Sequence, residues 1–338
     1  MGDVADGSFF EHVNDTRYRL GQRAGHYESF FQRANHPARP LAFWIRYTLF
    51  SPDGEPEKAI GELWAITFDG ERNRHVAVKS EVPFTQCDFN REGFGVRIHD
   101  AHLAPGRLTG SAASAGHLIS WDLSYRGEQA PLLLLPRASY DAKLPRAKSL
   151  VGLPMAVYSG SLVVDGERLE IDDWVGSQNH NWGARHTDHY AWGQVAGFDT
   201  HPTTFLEVAT ARLKLGPLWT PFMTNLVMRH AGAEIALNGI RQGLRAEGAF
   251  DYFTWRFRSE DDAVRIEGTI AAPRESFVAL RYYNPPGGMK HCLNTKIARC
   301  ELQVTNKRSG RSEALSTRHR AAFEILTDDQ GHGIAIRA

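Results

Sequence analysis

The side chains best suited to chemistry in this chain are concentrated between Asp172 and Asp199. Three of its eight tryptophans and three of its fifteen histidines lie there, namely Trp174, Trp182, Trp192, His180, His186 and His189. Aromatic walls exclude water and shift the pKa of the groups they enclose. Imidazoles and carboxylates beside indoles are therefore typical of proton transfer next to an apolar surface. The stretch predicts where a site lies but does not define its reaction.

Asp188, Tyr190 and Trp192 form the most suggestive set in this stretch. If residues 188–194 form a strand, the three share one face, because successive side chains of a strand alternate. Lining a barrel, they would supply an acid with a pKa raised by desolvation, a hydroxyl relay and an aromatic platform. Such a set could protonate an alkene or enol and stabilise the cation against aromatic rings. In the alternative interpretation, Tyr190 and Trp192 are core residues and Asp188 caps a turn or pairs with Arg185.

The histidines of the stretch, with His201, also allow a metal interpretation. His186 and His189 loosely fit a zinc-type spacing, with Asp188 or His180 as further donors. The pair would lie on opposite faces of a strand, however, and no HExxH motif or Cys pair accompanies it. We therefore predict no metal ion and no other cofactor.

Side-chain amides flanked by glycines fill residues 176–183, Gly-Ser-Gln-Asn-His-Asn-Trp-Gly. One interpretation is a loop whose Asn side chains bond their own backbone. In the functional alternative, His180 is an acid or base, Asn181 a hydrogen-bond donor and Trp182 a cavity wall, and the glycines let a ligand approach closely. His186 is a further candidate acid or base. Tyr282 precedes a two-proline turn and is a candidate substrate contact, although a segment of this kind ordinarily only ends a strand and forms a turn.

The elements that must position these residues are predicted to be strands. Alternation is clear at 119–125 and 252–257, and Asp165-Gly166 predicts a hairpin between two apolar runs. Further strands are predicted at 42–50, 62–68, 76–79, 204–212, 264–270, 298–305 and 321–326. No amphipathic helix pattern is sustained over three turns, and 221–229 comes nearest. The predicted fold class is all-β, with antiparallel sandwiches or barrels and little helix.

A domain boundary is predicted near residue 150, which gives domains at 1–150 and 151–338. Four prolines interrupt the strands before it, namely Pro131, Pro136, Pro145 and Pro154. A weak internal echo indicates two similar β-domains: His26-Tyr27-Glu28-Ser29-Phe30-Phe31 and the segment from His186 to Trp192 each lead into an aromatic strand.

Composition and charge limit the classes of binding partner and the cellular location that we predict. The 39 basic and 39 acidic side chains cancel and are mixed along the chain, so we predict no nucleic-acid partner. Three cysteines without metal-type spacing, and an acidic, polar N-terminus without a secretory signal, favour the cytoplasm. The longest apolar run, 132–136, is far shorter than the ~20 residues that a spanning helix needs, so any membrane contact would be transient and at the surface. The sequence does not define the oligomeric state.

Several motifs together resemble the carotenoid hydratase, tocopherol cyclase and AttH-like group: His26 to Phe31 before an aromatic strand, Gly61 to Asp69, Trp121-Asp122-Leu123, and the block from Asn179 to Trp192. The resemblance implies two lipocalin-like β-domains around a hydrophobic cavity, and hydration or cyclisation of isoprenoid or polyketide chains without a redox cofactor. By position it implies Asp188, Tyr190, Trp192 and His180 as acid and cavity groups. Glu28 is then the acidic position of the first half, and Trp64 lies in the Gly61 to Asp69 motif. Ser29-Phe30 replaces the usual Trp-Tyr type of pair, which leaves the substrate class open.

Three functions follow as hypotheses. The first is a cofactor-independent hydratase, cyclase or isomerase that acts on a lipophilic isoprenoid-like or polyketide-like molecule by acid catalysis. The second is a non-catalytic carrier of a hydrophobic small molecule. The third is a metal-dependent hydrolase or oxygenase that uses His180, His186 and His189. A carrier has no need of buried acids with shifted pKa values, so the surroundings of Asp188 and the histidines distinguish the first two.

Overall fold

Strands dominate the structure, a computed structural model that describes residues 2–338, with side chains from residue 7 onward. The strands are β1 (His26–Asn35), β2 (Leu41–Ser51), β3 (Ile60–Asp69), β4 (Arg74–Pro83), β5 (Cys87–Phe89), β6 (Val96–Ile98), β7 (Ala101–Ala104), β8 (Arg107–Ser114), β9 (His117–Arg126), β10 (Leu132–Leu133), β11 (Ala147–Val164), β12 (Glu167–Gly183), β13 (His189–Ala196), β14 (Phe205–Arg212), β15 (Lys214–Leu215), β16 (Leu218–Trp219), β17 (Met223–His230), β18 (Ala233–Leu237), β19 (Glu247–Asp251), β20 (Thr254–Glu260), β21 (Val264–Ala271), β22 (Val278–Tyr283), β23 (Met289–Asn306) and β24 (Ser312–Thr327). The helices are α1 (Gly2–Glu11), α2 (Ala138–Asp141) and α3 (Ile240–Arg245), with 3-10 turns at Pro56–Lys58, Phe84–Gln86 and Arg274–Ser276.

The all-β prediction is confirmed, and each predicted strand overlaps a strand of the structure. Tyr252 and Phe253 form the turn before β20 rather than its first residues. The segment nearest to a helix pattern, 221–229, contributes to β17, whose Leu226 and Met228 face the core while pairing with β14 and β18. The predicted hairpin at Asp165-Gly166 joins β11 to β12, and both residues have positive φ.

Two antiparallel sheets repeat the same strand order. The first runs β4-β3-β2-β1-β12-β11-β9-β8-β7-β6-β5, with β10 paired to β11. The second runs β18-β17-β14-β13-β24-β23-β21-β20-β19, with β22 paired to β23. In each sheet the entering strand, β1 or β13, lies between the next strand in the chain and the last long one. Both entering strands begin with His-Tyr, so the predicted echo corresponds to a repeated architecture.

Each sheet curls around its own apolar core. The first nearly closes where β4 meets β8, since the Ala113 amide donates to Ser80 Oγ at 2.9 Å and the Lys79 amide to Ser114 Oγ at 3.0 Å. Its interior is filled by large side chains such as Phe43, Tyr47 and Trp121. The second sheet brings β17 to β19 and fills its interior in the same way, with Trp255 and Phe323 among others. Tyr190 and Trp192 belong to neither interior and pack between the two sheets.

The change of sheet occurs between Gly183 and His189, later in the chain than the domain boundary predicted near residue 150. Strands β11 and β12 belong to the first sheet, where β12 pairs with β1 along nine residues. The proline-rich segment 127–146 joins β9 to β11, which belong to the same sheet. It crosses to the second sheet as a strap: the Arg229 guanidinium donates to the carbonyls of Ala130 at 2.6 Å and Pro131 at 2.9 Å. The division into independent domains stays a prediction.

Residues 176–183 are strand rather than loop, because β12 is paired on both sides, to β1 and to β11. Gly176 is required there by close approach: a Cβ at that position would lie 1.7 Å from the carbonyl oxygen of Arg33. Among the described residues, none of the helices has the length and apolar character needed to cross a bilayer.

Candidate functional site

The outward faces of the two sheets pack against each other and enclose an unusually polar core. Strands β1 to β3 contribute one wall, and β13, β14 and β22 to β24 contribute the other. We call the side chains that meet there the inter-sheet cluster: Phe31, Arg33, Trp44, Arg46, Trp64, Tyr190, Trp192, Glu207, Tyr282, Lys296 and Glu324.

Cations in the cluster lie over aromatic rings. Arg46 is 4.6 Å from the Tyr282 ring centroid, and Lys296 is 5.7 Å from Trp44 and 5.6 Å from Trp192. Lys296 also donates to Glu324 at 2.6 Å. Because ring faces attract positive charge, these walls are suited to stabilising a cation as well as to excluding water.

Hydrogen bonds tie the two sheets together at one end of the cluster. Arg33 Nε donates to Gln194 Oε1 at 2.8 Å, and Gln194 Nε2 donates to Asn179 Oδ1 at 2.8 Å. Asn35 reaches across to the carbonyl of Lys296 at 2.7 Å. Burial lowers the pKa of Arg33 to about 9, which reflects how little water reaches this core.

Some buried polar atoms of the cluster have no hydrogen-bond partner within the part of the chain that the structure describes. They are Trp44 Nε1, Trp64 Nε1, Arg33 Nη2, Arg46 Nε and Glu207 Oε2. Buried polar groups are nearly always paired, and an unpaired one costs roughly 1–3 kcal/mol. Several such atoms around one set of aromatic rings indicate a place for a ligand or ordered water.

Glu207 is the acid of this cluster. It lies on β14 opposite Gln194, is 2% exposed, and accepts one hydrogen bond from Trp192 Nε1 at 3.0 Å. Burial raises its pKa to about 7, and the indole hydrogen bond and the charge of Arg33 only partly offset that rise. A carboxyl group with this pKa can hold and release a proton near neutral pH, as a general acid must.

Sequence reasoning did not single out Glu207. Its strand, Phe-Leu-Glu-Val-Ala-Thr-Ala-Arg, is buried on both faces along most of its length. A lone Glu in an apolar strand of this kind is the signal that could have identified it, since charged residues are rarely buried without a partner.

The structure brings several predicted site residues to the cluster. Tyr190 and Trp192 share a face, as predicted, but that face points to the first sheet and not into a barrel, whose interior takes Ala191 and Val195. Trp64 contacts Tyr282 edge to face at 5.6 Å between centroids. Asn181 lies at the edge of the same region, and its buried Oδ1 has no partner among the described residues.

His186 is sandwiched at the other end of the cluster. Its ring stacks on Tyr27 at 3.8 Å and lies 5.8 Å from the Tyr282 centroid. Burial, together with the charge of Arg46, lowers its pKa to about 3. The imidazole is therefore neutral at physiological pH and cannot serve there as a cationic acid.

His180 and Glu28 lie on the opposite face, inside the first sheet, in a closed network. His180 Nε2 contacts Glu28 Oε1 at 2.8 Å, and His180 Nδ1 contacts the carbonyl oxygen of Val13 at 2.8 Å. Glu28 also accepts bonds from the amides of Arg17 and Tyr18 and from His26. Burial acts to raise the pKa of Glu28, but the bonds to His180 and His26 outweigh it and lower the pKa to about 2. Trp182 packs beside this network, 4.6 Å from the His180 ring.

The surroundings of Asp188 differ from those predicted for an acid with a raised pKa. It lies just before β13 and contacts Arg185, the amide of Lys214 at 2.9 Å and Lys290 at 3.6 Å. Burial would raise its pKa, but the Lys214 amide and the Arg185 guanidinium more than compensate and hold the pKa below its ordinary value. The prediction of a raised pKa for Asp188 is therefore wrong. The structure shows the alternative interpretation, in which Asp188 pairs with Arg185.

The three histidines of the metal hypothesis lie apart. His180 is inside the first sheet, His186 is between Tyr27 and Tyr282, and His189 is beside Phe250 at the end of the second sheet. Among residues with described side chains, no three His, Cys, Asp or Glu groups meet in a way that could hold a metal ion. The set of ligands that the metal hypothesis requires does not assemble.

Comparison with known proteins places the fold. No family model matches the chain. Two uncharacterized proteins of Mycobacterium tuberculosis, MT0513 of strain CDC 1551 / Oshkosh and Rv0493c of strain H37Rv, are each 27% identical over 213 residues. The match spans 61% of this chain and 61% of each relative.

Two solved structures share the architecture over most of the chain. A candidate AttH protein (NE1406) from Nitrosomonas europaea matches with a TM-score of 0.56 at 11% identity, covering 92% of this chain and 94% of its own. CghA matches with a TM-score of 0.54 at 12% identity, covering 90% and 88%. At these identities the similarity shows an AttH-like, lipocalin-like fold, as the sequence motifs implied, and does not show an activity.

Proposed function

We propose that this chain is a cofactor-independent enzyme that hydrates, cyclises or isomerises a lipophilic, unsaturated molecule between its two sheets, with Glu207 as the acid. The observation that carries the proposal is a fully buried carboxyl group with a pKa of about 7, one oxygen of which has no partner among the described residues. The AttH-like fold supports the same class of reaction.

The proposed reaction begins when protonated Glu207 gives its proton to one carbon of a substrate double bond. The π electrons form the new C–H bond and leave a cation on the neighbouring carbon, which the negative charge left on the Glu207 carboxylate stabilises. Water, or a second double bond of the substrate, then attacks the cation. Attack by water gives an oxonium ion, and attack by a double bond gives a new carbocation. Either species then gives up one proton to the Glu207 carboxylate, so no oxidant or reductant is consumed.

Access to Glu207 is controlled in this proposal by the strap, residues 127–146. Leu134 packs in the same apolar group as Trp192, and Leu132 packs with Phe205 and Val227, which flank Glu207. Because a lipophilic substrate must displace these leucines, its own apolar surface replaces theirs and water stays excluded.

Deuterium incorporation from D2O tests whether the protein transfers a proton to a carbon of the substrate. Any lipid that copurifies with the protein is identified by mass spectrometry and, with squalene and geranylgeraniol as further probes, is incubated with the protein in D2O. We expect a product that carries deuterium on carbon, and a rate that falls as pH rises through about 7, because Glu207 then loses its proton. Glu207→Gln should lower the rate at least about a hundredfold, the lower end of what general acid catalysis contributes. Glu57→Gln, on an exposed turn, serves as the matched control.

Turnover by Glu207→Gln at the rate of the unaltered protein would overturn the assignment of the acid. The second candidate function is a carrier, favoured by the complete pairing of Glu28, His180 and Asp188. Return of the copurified ligand unchanged, with no deuterium on carbon after prolonged incubation, would favour the carrier.

A further inference from the structure

A second site lies away from the inter-sheet cluster, at the end of the second sheet. A solvent-open pocket of about 350 Å³ lies there. It is lined by the start of β13, the end of β14, the turn between β19 and β20 and the end of β24. Its walls include Trp219, Phe250 and Tyr252, with Arg212 and His189 beside them. The volume is within the range of small-molecule pockets.

Arg212 is the distinctive charge of this pocket. Its guanidinium carbon lies 4.4 Å from the Trp219 ring centroid and 4.7 Å from that of Phe222. Within the described part of the chain it makes these ring contacts and no ion pair, and its buried Nε has no hydrogen-bond partner. A guanidinium that contacts rings and no carboxylate keeps N–H donors free for a planar anion.

The carboxylates around the pocket are already engaged. Asp188 pairs with Arg185, and Asp328 pairs with Lys290 at 2.7 Å. Asp329 accepts a hydrogen bond from Tyr252 Oη at 2.5 Å. Asp251 and Asp329 keep their negative charge at the exposed rim, and Arg212 is the positive side chain of the described lining that has no ion-pair partner.

An apolar hairpin forms the approach to the pocket. Strands β15 and β16 pair and present Leu215 at 64%, Leu218 at 71% and Trp219 at 40% exposure. Isolated exposed leucines are ordinary, but three large apolar side chains on one short hairpin beside a pocket are typical of a surface that receives an apolar chain.

We propose that this pocket binds an amphipathic carboxylate, with the carboxylate on Arg212 and the apolar chain along Trp219 and the β15–β16 hairpin. The ligand is thus an apolar chain that ends in one planar anionic group. This site is separate from Glu207, and its occupation does not depend on the function proposed above.

Dodecanoate, held below its critical micelle concentration, is the probe, and isothermal titration calorimetry with the full chain is the measurement. We expect saturable binding of one dodecanoate, at least about tenfold tighter than dodecanol or dodecyltrimethylammonium of the same chain length. Arg212→Gln should remove this preference for the anion and weaken dodecanoate binding at least about tenfold, as expected for loss of a charge-assisted pair. Arg256→Gln, at an exposed arginine of β20, should change nothing, and Glu207→Gln should still bind dodecanoate.

Replacing the exposed Leu218 of the β15–β16 hairpin by a smaller polar residue provides a second variant. Leu218→Ser should weaken dodecanoate and dodecanol equally, because it removes apolar contact only. Equal or tighter binding of the cationic probe or of dodecanol by the unaltered protein would overturn the proposal, as would unchanged affinity in Arg212→Gln. Binding to vesicles that contain phosphatidylglycerol, without saturable binding of free dodecanoate, would also overturn it, since the hairpin would then contact a membrane surface rather than line a pocket.

Discussion

Two buried glutamates show how surroundings assign opposite roles to one side chain. Glu28 faces five donor contacts from Arg17, Tyr18, His26 and His180, and stays ionised. Glu207 receives a single bond from Trp192 and stays protonated up to about neutral pH. Hydrogen bonds to the charged form outweigh desolvation in the first case and fail to do so in the second. The first glutamate is suited to holding structure and the second to exchanging a proton.

Replacing Glu28 by Gln should destabilise the protein at neutral pH. The pKa of Glu28 is about 2 in the folded protein and 4.5 in a free side chain, so its contribution is fully present above about pH 4.5 and is lost as pH falls toward 2. The shift corresponds to about 3 kcal/mol at pH 7. We expect Glu28→Gln to lower the thermal midpoint by several degrees at pH 7 and by clearly less at pH 3, measured by calorimetry.

Glu57→Gln provides the baseline for that comparison, because Glu57 is exposed. Amide exchange adds a local readout: the amides of Arg17 and Tyr18 should exchange faster in Glu28→Gln, since they lose their acceptor. Equal midpoints for the variant and the unaltered protein at pH 7 would show that the network contributes no net stability.

Residue types in the sequence identified side chains that meet between the sheets, but not the protonation states that their surroundings impose. Tyr190, Trp192, Trp64 and Tyr282 meet between the sheets, because their strands bury both faces. Asp188 could not be assigned correctly, since its pKa depends on Lys214 and Lys290, which are distant along the chain. Pairing across sheets, rather than local spacing, determines which carboxyl group keeps its proton.

In the proposed function, the strap is the element on which access to Glu207 depends. It is held from the second sheet by Arg229, which reaches Gln129, Ala130 and Pro131, and by Asn238, which donates to the carbonyl of Leu133 at 3.3 Å. Only two of its residues, in β10, pair with a strand. Within 129–134, the bonds from Arg229 and Asn238 and the pairing of β10 are therefore the hydrogen bonds that must break before Leu132 and Leu134 can move.

Arg229→Ala should loosen the strap without unfolding the sheets. The substitution removes three hydrogen bonds from a charged donor, each worth about 1.5–3 kcal/mol, so local opening should become at least about tenfold more frequent. Hydrogen exchange followed by mass spectrometry should show faster exchange within 129–134 and unchanged exchange in β1 and β13. Arg256→Ala is the control, and faster exchange throughout both sheets would instead indicate global destabilisation.

Element boundaries illustrate what the sequence left undetermined. The period-two pattern identified the strands, because each buries at least one regular face. The Gly- and Asn-rich residues 176–183 resembled a loop, and only the pairing of β12 with β1 and β11 makes them strand. The prolines of 127–146 mark a break in the strands correctly, but the chain returns to the first sheet afterwards. Local signals of this kind show where a strand stops and not which sheet the next strand joins.

At the scale of the whole molecule, the two sheets share one core that neither could bury alone. Trp44 and Trp64 from the first sheet and Trp192 and Tyr282 from the second are all nearly inaccessible to solvent. Hydrogen bonds from Arg33 and Asn35 cross the boundary. Separation of the sheets would expose charged and aromatic side chains together, so we expect them to behave as one cooperative unit.

Cutting the chain between the sheets tests this expectation. A protease site inserted at exposed Ala184, between β12 and β13, should allow cleavage into two fragments that still elute together in size-exclusion chromatography. The combined variant Arg33→Ala and Asn35→Ala, cleaved in the same way, should release the fragments more readily because the bonds between sheets are lost. Separation of the fragments from the unaltered protein straight after cleavage would show that the sheets are independent domains.

Because the strand order repeats, positions in the first sheet have equivalents in the second. Tyr27 pairs with Phe50 and Phe31 with Arg46 in the first sheet, while Tyr190 pairs with Ala211 and Gln194 with Glu207 in the second. Arg46 and Glu207 therefore occupy the same place in each half. Each also bonds the residue two places after the strand's tyrosine, Ser29 or Trp192. If the repeat arose by duplication of a gene, one ancestral position now carries a guanidinium group in the first half and a buried carboxyl group in the second.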